Sequence, residues 1–197
     1  MNLLTLSTGA IVGIVIGVVV ALLLIILVCW FISTHNKFVS MRSSVEEAFS
    51  TMDVYLKKRY DLIPNLVETV KGYAKHESDV LTKVTEARSN AQAATTAAEK
   101  IEANAMLSQA LRSFNVVVEK YPELKANQNF LSLQYDLRNI EGEIANSRKY
   151  YNGIVKAFNT KRETIPASIV AKMMKLEKQP YFEVDDAAER KSVKVSF

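Results

Sequence analysis

No Lys, Arg, Asp or Glu occurs before Lys37, and from Ile11 to Ile32 the chain is almost entirely Ile, Val, Leu, Ala and Gly. About 22 helical residues at roughly 1.5 Å each reach about 33 Å, enough to cross the hydrocarbon core of a bilayer. A cleaved signal peptide would have a shorter apolar region, a positive charge ahead of it and a small-residue cleavage site behind it. Here the first ten residues are uncharged and the run ends in Cys29-Trp30-Phe31, so the segment is read as a retained transmembrane helix. Val28 is not the small residue expected before a lipoprotein cysteine. Lys37 and Arg42 follow the run closely and no basic residue precedes it. The basic flank normally stays cytoplasmic, which places the N-terminus outside and the rest of the chain inside the cell. Gly13, Gly17 and Ala21 recur every four residues, a candidate helix-packing face in the membrane where two backbones can approach closely.

All 25 basic and 21 acidic residues therefore lie downstream, where they leave a net charge of +4. That excess is mild and dispersed, without the concentrated basic face of a nucleic-acid-binding protein. Cys29 is the single cysteine, so a disulfide framework within the chain is excluded. His35 and His76 are the only histidines, which excludes mixed Cys/His zinc sites. Beyond the apolar run the glycines are Gly72, Gly142 and Gly153 alone, a scarcity that favours helices over hairpins.

Periodicity supports this reading. Val45, Phe49, Met52, Leu56, Tyr60, Ile63, Val67, Val70 and Ala74 are spaced by three or four residues, one apolar stripe on a long helix. Ser43 or Ser44 is placed to cap its start, with Glu46 and Glu47 in the first turn. Pro64 interrupts the stripe without changing its phase, so a kink is expected and not a stop. Phe130, Leu133, Leu137, Ile140, Ile144, Ser147, Tyr151, Ile154 and Phe158 form a second long stripe, spaced like a bundle or coiled-coil seam. Between them lie an Ala-rich stretch from Leu81 to Ala98, expected to project past the core, and a run from Leu107 to Tyr121 that Pro122 stops. A short apolar piece follows Pro166, and Tyr181 and Phe182 are likewise expected to pack. The fold class predicted is all-α: an N-terminal transmembrane helix followed by an antiparallel four-helix bundle with long helices. The expected divisions are an extracytoplasmic stretch at 1–10, the span at 11–32, a juxtamembrane linker at 33–42, the bundle at 43–178 and a tail at 179–197.

Lys57–Glu77, KKRYDLIPNLVETVKGYAKHE, resembles the signature of LemA proteins, as does YPELKANQNFLSLQ from Tyr121 to Gln134. Ile144, Ala145, Arg148, Tyr151 and Asn152, then Tyr181-Phe182-Glu183, continue the resemblance in order along nearly the whole chain. Ile165-Pro166 departs from the Phe-Pro common in the family. The resemblance implies an N-terminal transmembrane helix and a soluble helical bundle with no established enzymatic activity.

Chemistry-bearing motifs are sparse. His76-Glu77 opens like a zinc-protease motif, but Val80 stands where its second histidine belongs. Asp53, Arg59, Asp61, Asn65 and Glu68 form a candidate interaction patch on the first long helix. Asp61 is also placed to pair with Lys57 or Arg59, or to satisfy a backbone group freed by Pro64. Arg138, Arg148, Lys149, Glu141 and Glu143 read as a solvated face, and Asn127 and Asn129 as turn and cap residues. Lys172, Lys175 and Lys178 sit among Met173, Met174 and Leu176, a basic piece that either lies on an anionic membrane surface or closes the bundle end. No catalytic, cofactor or metal residues are expected. The function expected is a non-catalytic scaffold or interaction module at the bacterial inner membrane, with membrane lipid, further copies in a homo-oligomer and an unidentified protein as partners, and no nucleic acid. The alternative is a sensor or regulator passing an envelope signal to a cytoplasmic partner.

Overall fold

The structure, a computed structural model, describes residues 8–74 and 76–183. Among these residues all regular structure is helical: α1 (Thr8–Lys71), α2 (Ser78–Ala93), α3 (Ala97–Glu119), α4 (Pro122–Lys125), α5 (Gln128–Glu163) and α6 (Ala167–Met173). The all-α class holds, with six helices where four were expected in addition to the span. The expected linker over 33–42 is helical and lies inside α1, which runs unbroken for 64 residues. Ser43 and Ser44 therefore lie within the helix and not at its start: the amides of that turn already have intrahelical acceptors in the turn before. Pro64 lies within α1 and does not end it. Every large apolar side chain from Ile11 to Val28 is exposed. A helix apolar on all sides and left uncovered suits lipid and not water.

Two compact units divide the chain. One comprises Met1–Ser43 and Ala157–Lys178. In it Phe38 meets Phe158 edge-on, with ring centroids 6.2 Å apart. Thr34, Phe38, Asn159, Ala167, Val170 and Ala171 are buried. At the end of α6 the Leu176 amide donates to the Ala171 carbonyl and the Lys175 amide to the Lys172 carbonyl, each at 3.0 Å. That pairing is a Schellman stop, which needs a left-handed residue, and Lys175 takes that place with φ 51°. The Arg162 side chain donates through Nε to the Leu176 carbonyl at 2.8 Å, tying the stop back to α5.

The other unit comprises Ser44–Lys156 and Gln179–Phe197. Most of both expected stripes lies in its core. Val45, Met52, Leu56, Tyr60, Ile63 and Val70 are buried on α1, and Ala74 just past its end, as are Phe130, Leu137, Ile144, Ser147 and Tyr151 on α5. The Ala-rich stretch is not one helix. It divides at Ala94–Thr96 into α2 and the first turn of α3, which pack together, with Leu81, Val84 and Ala91 buried. Small side chains let the two helices approach closely. Thr96 accepts from the Glu99 amide at 3.2 Å while the Glu99 carboxylate accepts from the Thr96 amide at 3.0 Å, a reciprocal capping box. Pro122 ends the preceding run and opens α4, where its missing N–H costs nothing. Asn127 caps α5, its side-chain oxygen accepting from the Phe130 amide at 3.0 Å. Phe182 is buried, and the Asn152 amide group holds its backbone on both sides, donating to the carbonyl at 3.0 Å and accepting from the N–H at 2.8 Å.

Candidate functional site

Arg59 is the largest fully buried side chain among the described residues, 1% exposed, on an otherwise apolar helix face. A buried guanidinium is stable only with counter-charge and acceptors around it. Three supply them. Arg59 Nη1 donates to Glu141 on α5 at 2.9 Å and to Ser108 Oγ on α3 at 3.3 Å, and Nη2 donates to Asn104 Oδ1 at 2.5 Å. Asn104, itself buried, donates to the Tyr60 hydroxyl at 2.6 Å and to the Lys100 carbonyl at 2.7 Å. Burial pushes the Tyr60 phenol above its ordinary pKa, so it stays neutral and accepts that bond. Arg59 Nε is the one buried side-chain polar atom among the described residues with no hydrogen-bond partner. The network joins α1, α3 and α5 through groups 44 to 82 residues apart in sequence.

Asp53, Asp61, Asn65 and Glu68 fall elsewhere. Asp53 is half-buried and binds Lys100 at 2.7 Å. Asp61, Asn65 and Glu68 are exposed. At about 100° per residue they share one side of α1, and Arg59 points the opposite way. Arg59 pairs with Glu141 and not with Asp61, so the local pairing expected at short spacing is replaced by a long-range one. The solvated-face reading also fails for two residues of α5: Glu141 holds Arg59, and the Arg148 guanidinium lies over the Phe182 ring at 5.9 Å.

Pro64 leaves the Tyr60 carbonyl without its usual helical donor. Arg88 of α2 donates to that carbonyl through Nε at 2.6 Å. Satisfying a freed group was one of the two roles open to Asp61, but a carboxylate cannot donate to a carbonyl, and the cation from α2 fills the role.

An open groove of about 640 Å³ runs between α3 and α5 over Ser108 and Glu141, with Leu111 and Leu137 in its walls and Arg112, Lys125 and Arg138 on its rim. Arg59 thus fixes the polar floor of this groove from beneath. Among the described residues no group of three or more His, Cys, Asp or Glu is placed to hold a metal ion. Spacing along the sequence does not reveal this network, because its partners come from three helices. The capping box was also not anticipated, although Thr96-Ala-Ala-Glu99 carries its pattern.

An apolar helix of membrane-crossing length, continuous with a helical body whose buried Arg59 joins helix to helix, defines a membrane-associated all-α protein. The chain belongs to the LemA family, whose model matches residues 48–197. A relative, Protein LemA of Metamycoplasma hominis, is 25% identical over 157 residues, covering 79% of this chain and 72% of the relative.

Proposed function

We propose that this protein is a non-catalytic scaffold or interaction module, anchored by one span in the bacterial inner membrane and self-associating. The observation that carries the reading is the continuity of α1 from the uncovered apolar run into the core stripes. That continuity tethers to the bilayer whatever docks on the helix. We read α1, α2, α3 and α5 as an antiparallel bundle, with the short α4 and α6 as connections and closure. The basic flank at Lys37 and Arg42 supports a cytoplasmic body and an outside N-terminus. Gly13, Gly17 and Ala21 are the face for association in lipid. Asp61, Asn65 and Glu68 are the exposed part of the polar set offered to a protein partner, with Asp53 at its edge, and Arg59 acts by holding the helices in register.

The second reading, a sensor or regulator, draws on the same unbroken helix, which could serve as a lever between envelope and body. Size measurement of the full chain in mild detergent separates the two. A large uniform assembly supports scaffolding. A monomer that copurifies with one stoichiometric partner overturns it in favour of regulation.

A further inference from the structure

α6 carries apolar side chains on two opposite sides. Ala167, Val170 and Ala171 face inward and are buried, while Ile169 and Met173, one helical turn apart on the other side, are 57% and 66% exposed. Ile165, in the turn before α6, is 81% exposed. Three large apolar side chains in one short segment, left uncovered beside a well-packed face, are costly in water. Lys172, Lys175 and Lys178 are exposed around them. The position of this segment along α1 identifies what covers it. α1 begins to lose exposure at Trp30 and Phe31, which are half-buried, and Thr34 and Phe38 are buried. Among the described residues, the compact unit holding that part of α1 contains, besides α1, only residues 157–178. Phe158 near the end of α5 lies against Phe38, and residues 157–178 cluster with this part of α1, where the apolar run meets the first lysine, within about 12 Å along the helix. That is the depth of the lipid headgroups for a chain spanning the bilayer with Ile11–Ile32.

We propose that the Ile165–Met173 segment is a second membrane contact, in which Ile165, Ile169 and Met173 enter the interface and Lys172, Lys175 and Lys178 bind anionic lipid headgroups. The inference rests on the membrane-spanning reading of α1. Apolar side chains flanked by lysines are the composition of an interfacial segment. Each lysine near an anionic surface is worth about fivefold in surface population, and the three act together. The buried face of α6 closes the protein and its outward face meets the bilayer, so the two alternatives read from the sequence are both realised, on opposite sides of one helix.

The test uses the full chain in vesicles of zwitterionic lipid with a minority of phosphatidylglycerol. An environment-sensitive fluorophore is placed at Ile169→Cys or Met173→Cys, with Cys29→Ala. Ser113→Cys on exposed α3 in the same background reports water, and Cys29 labelled in the unaltered chain reports the span. Labels at 169 and 173 should be blue-shifted, quenched by headgroup-level nitroxide lipids and shielded from aqueous iodide. The shift should diminish when phosphatidylglycerol is omitted or when the three lysines become Gln. Labels at 169 and 173 as iodide-accessible as that at 113 overturn the proposal. So does shielding from both quenchers, which means that protein covers the face. A Cys29 label in lipid alongside either of these results leaves the anchor intact and removes only the interfacial contact. A Cys29 label in water removes both.

Discussion

Two residues set how this molecule answers substitution and acid. Arg59 is buried with Glu141, Asn104 and Ser108 as its acceptors. Arg59→Ala leaves a cavity and strands the buried Asn104, and should cost about 3 kcal/mol in urea unfolding. Glu141 is more accessible, with 42% of its side chain exposed, and its glutamine retains an accepting oxygen. Glu141→Gln should therefore cost only about 1 kcal/mol. An Arg59→Ala variant as stable as the parent would show that the network joins the helices without stabilising them. Glu99 acts through protonation. Backbone N–H groups of Thr96 and Thr95, with the Thr95 hydroxyl, hold its carboxyl down to about 2 from an ordinary 4.5. The folded pKa lies below the unfolded one, so the capping contribution is present above about pH 4.5 and is lost as pH falls toward 2. The stability gap between parent and Glu99→Gln should narrow over that window. Thr96→Ala, which removes the other half of the box, should cost about 1 kcal/mol at neutral pH.

Among the elements, α1 and α2 are coupled at one atom. Pro64 frees the Tyr60 carbonyl, and Arg88 donates to it. In a Pro64→Ala chain the new amide can reach that carbonyl, making Arg88 redundant there. Arg88→Ala should cost about 2 kcal/mol in the parent and clearly less in the Pro64→Ala background, a coupling a double-mutant cycle measures directly. Additive costs would mean that Arg88 stabilises through its stem and not through the carbonyl. This pairing also shows what the sequence could reveal. Helical stripes were legible because burial imposes the 3.6-residue period locally, and Pro64 kept their phase. The Asn127 cap and the stop at Pro122 were legible for the same local reason. The rest was hidden by two kinds of physics. Ser43 and Ser44 resemble a cap, yet a helix already in progress needs none, and only the residues ahead of them decide that. The partners of Arg59 and Arg88 come from other helices, and spacing along one helix cannot predict them. The outward apolar side of α6 was invisible too, because three lysines within seven residues obscure which side packs.

At the scale of the whole molecule the open quantity is the assembly state, and the span offers a clean test. A Cβ built on Gly13 or Gly17 meets nothing within 4 Å in the chain itself, and Ala21 is exposed. Leucine at these positions therefore disturbs no contact within one copy, and any change in assembly must arise between copies. Association in lipid rests on van der Waals fit and not on a hydrophobic gain, so separating two closely packed backbones should weaken it by about 1 kcal/mol or more per contact. Gly13→Leu, Gly17→Leu and Ala21→Leu should shift the full chain toward smaller species by ultracentrifugation in detergent. A form starting near Lys37 should stay folded, since the stripes of α1 and α5 are buried within the chain. In matched detergent it should sediment as a smaller assembly than the full chain. Equal states for the two forms would take the span out of the association. A monomeric full chain would remove self-association altogether, and the unbroken α1 would then be better understood as a lever than as a scaffold's stem.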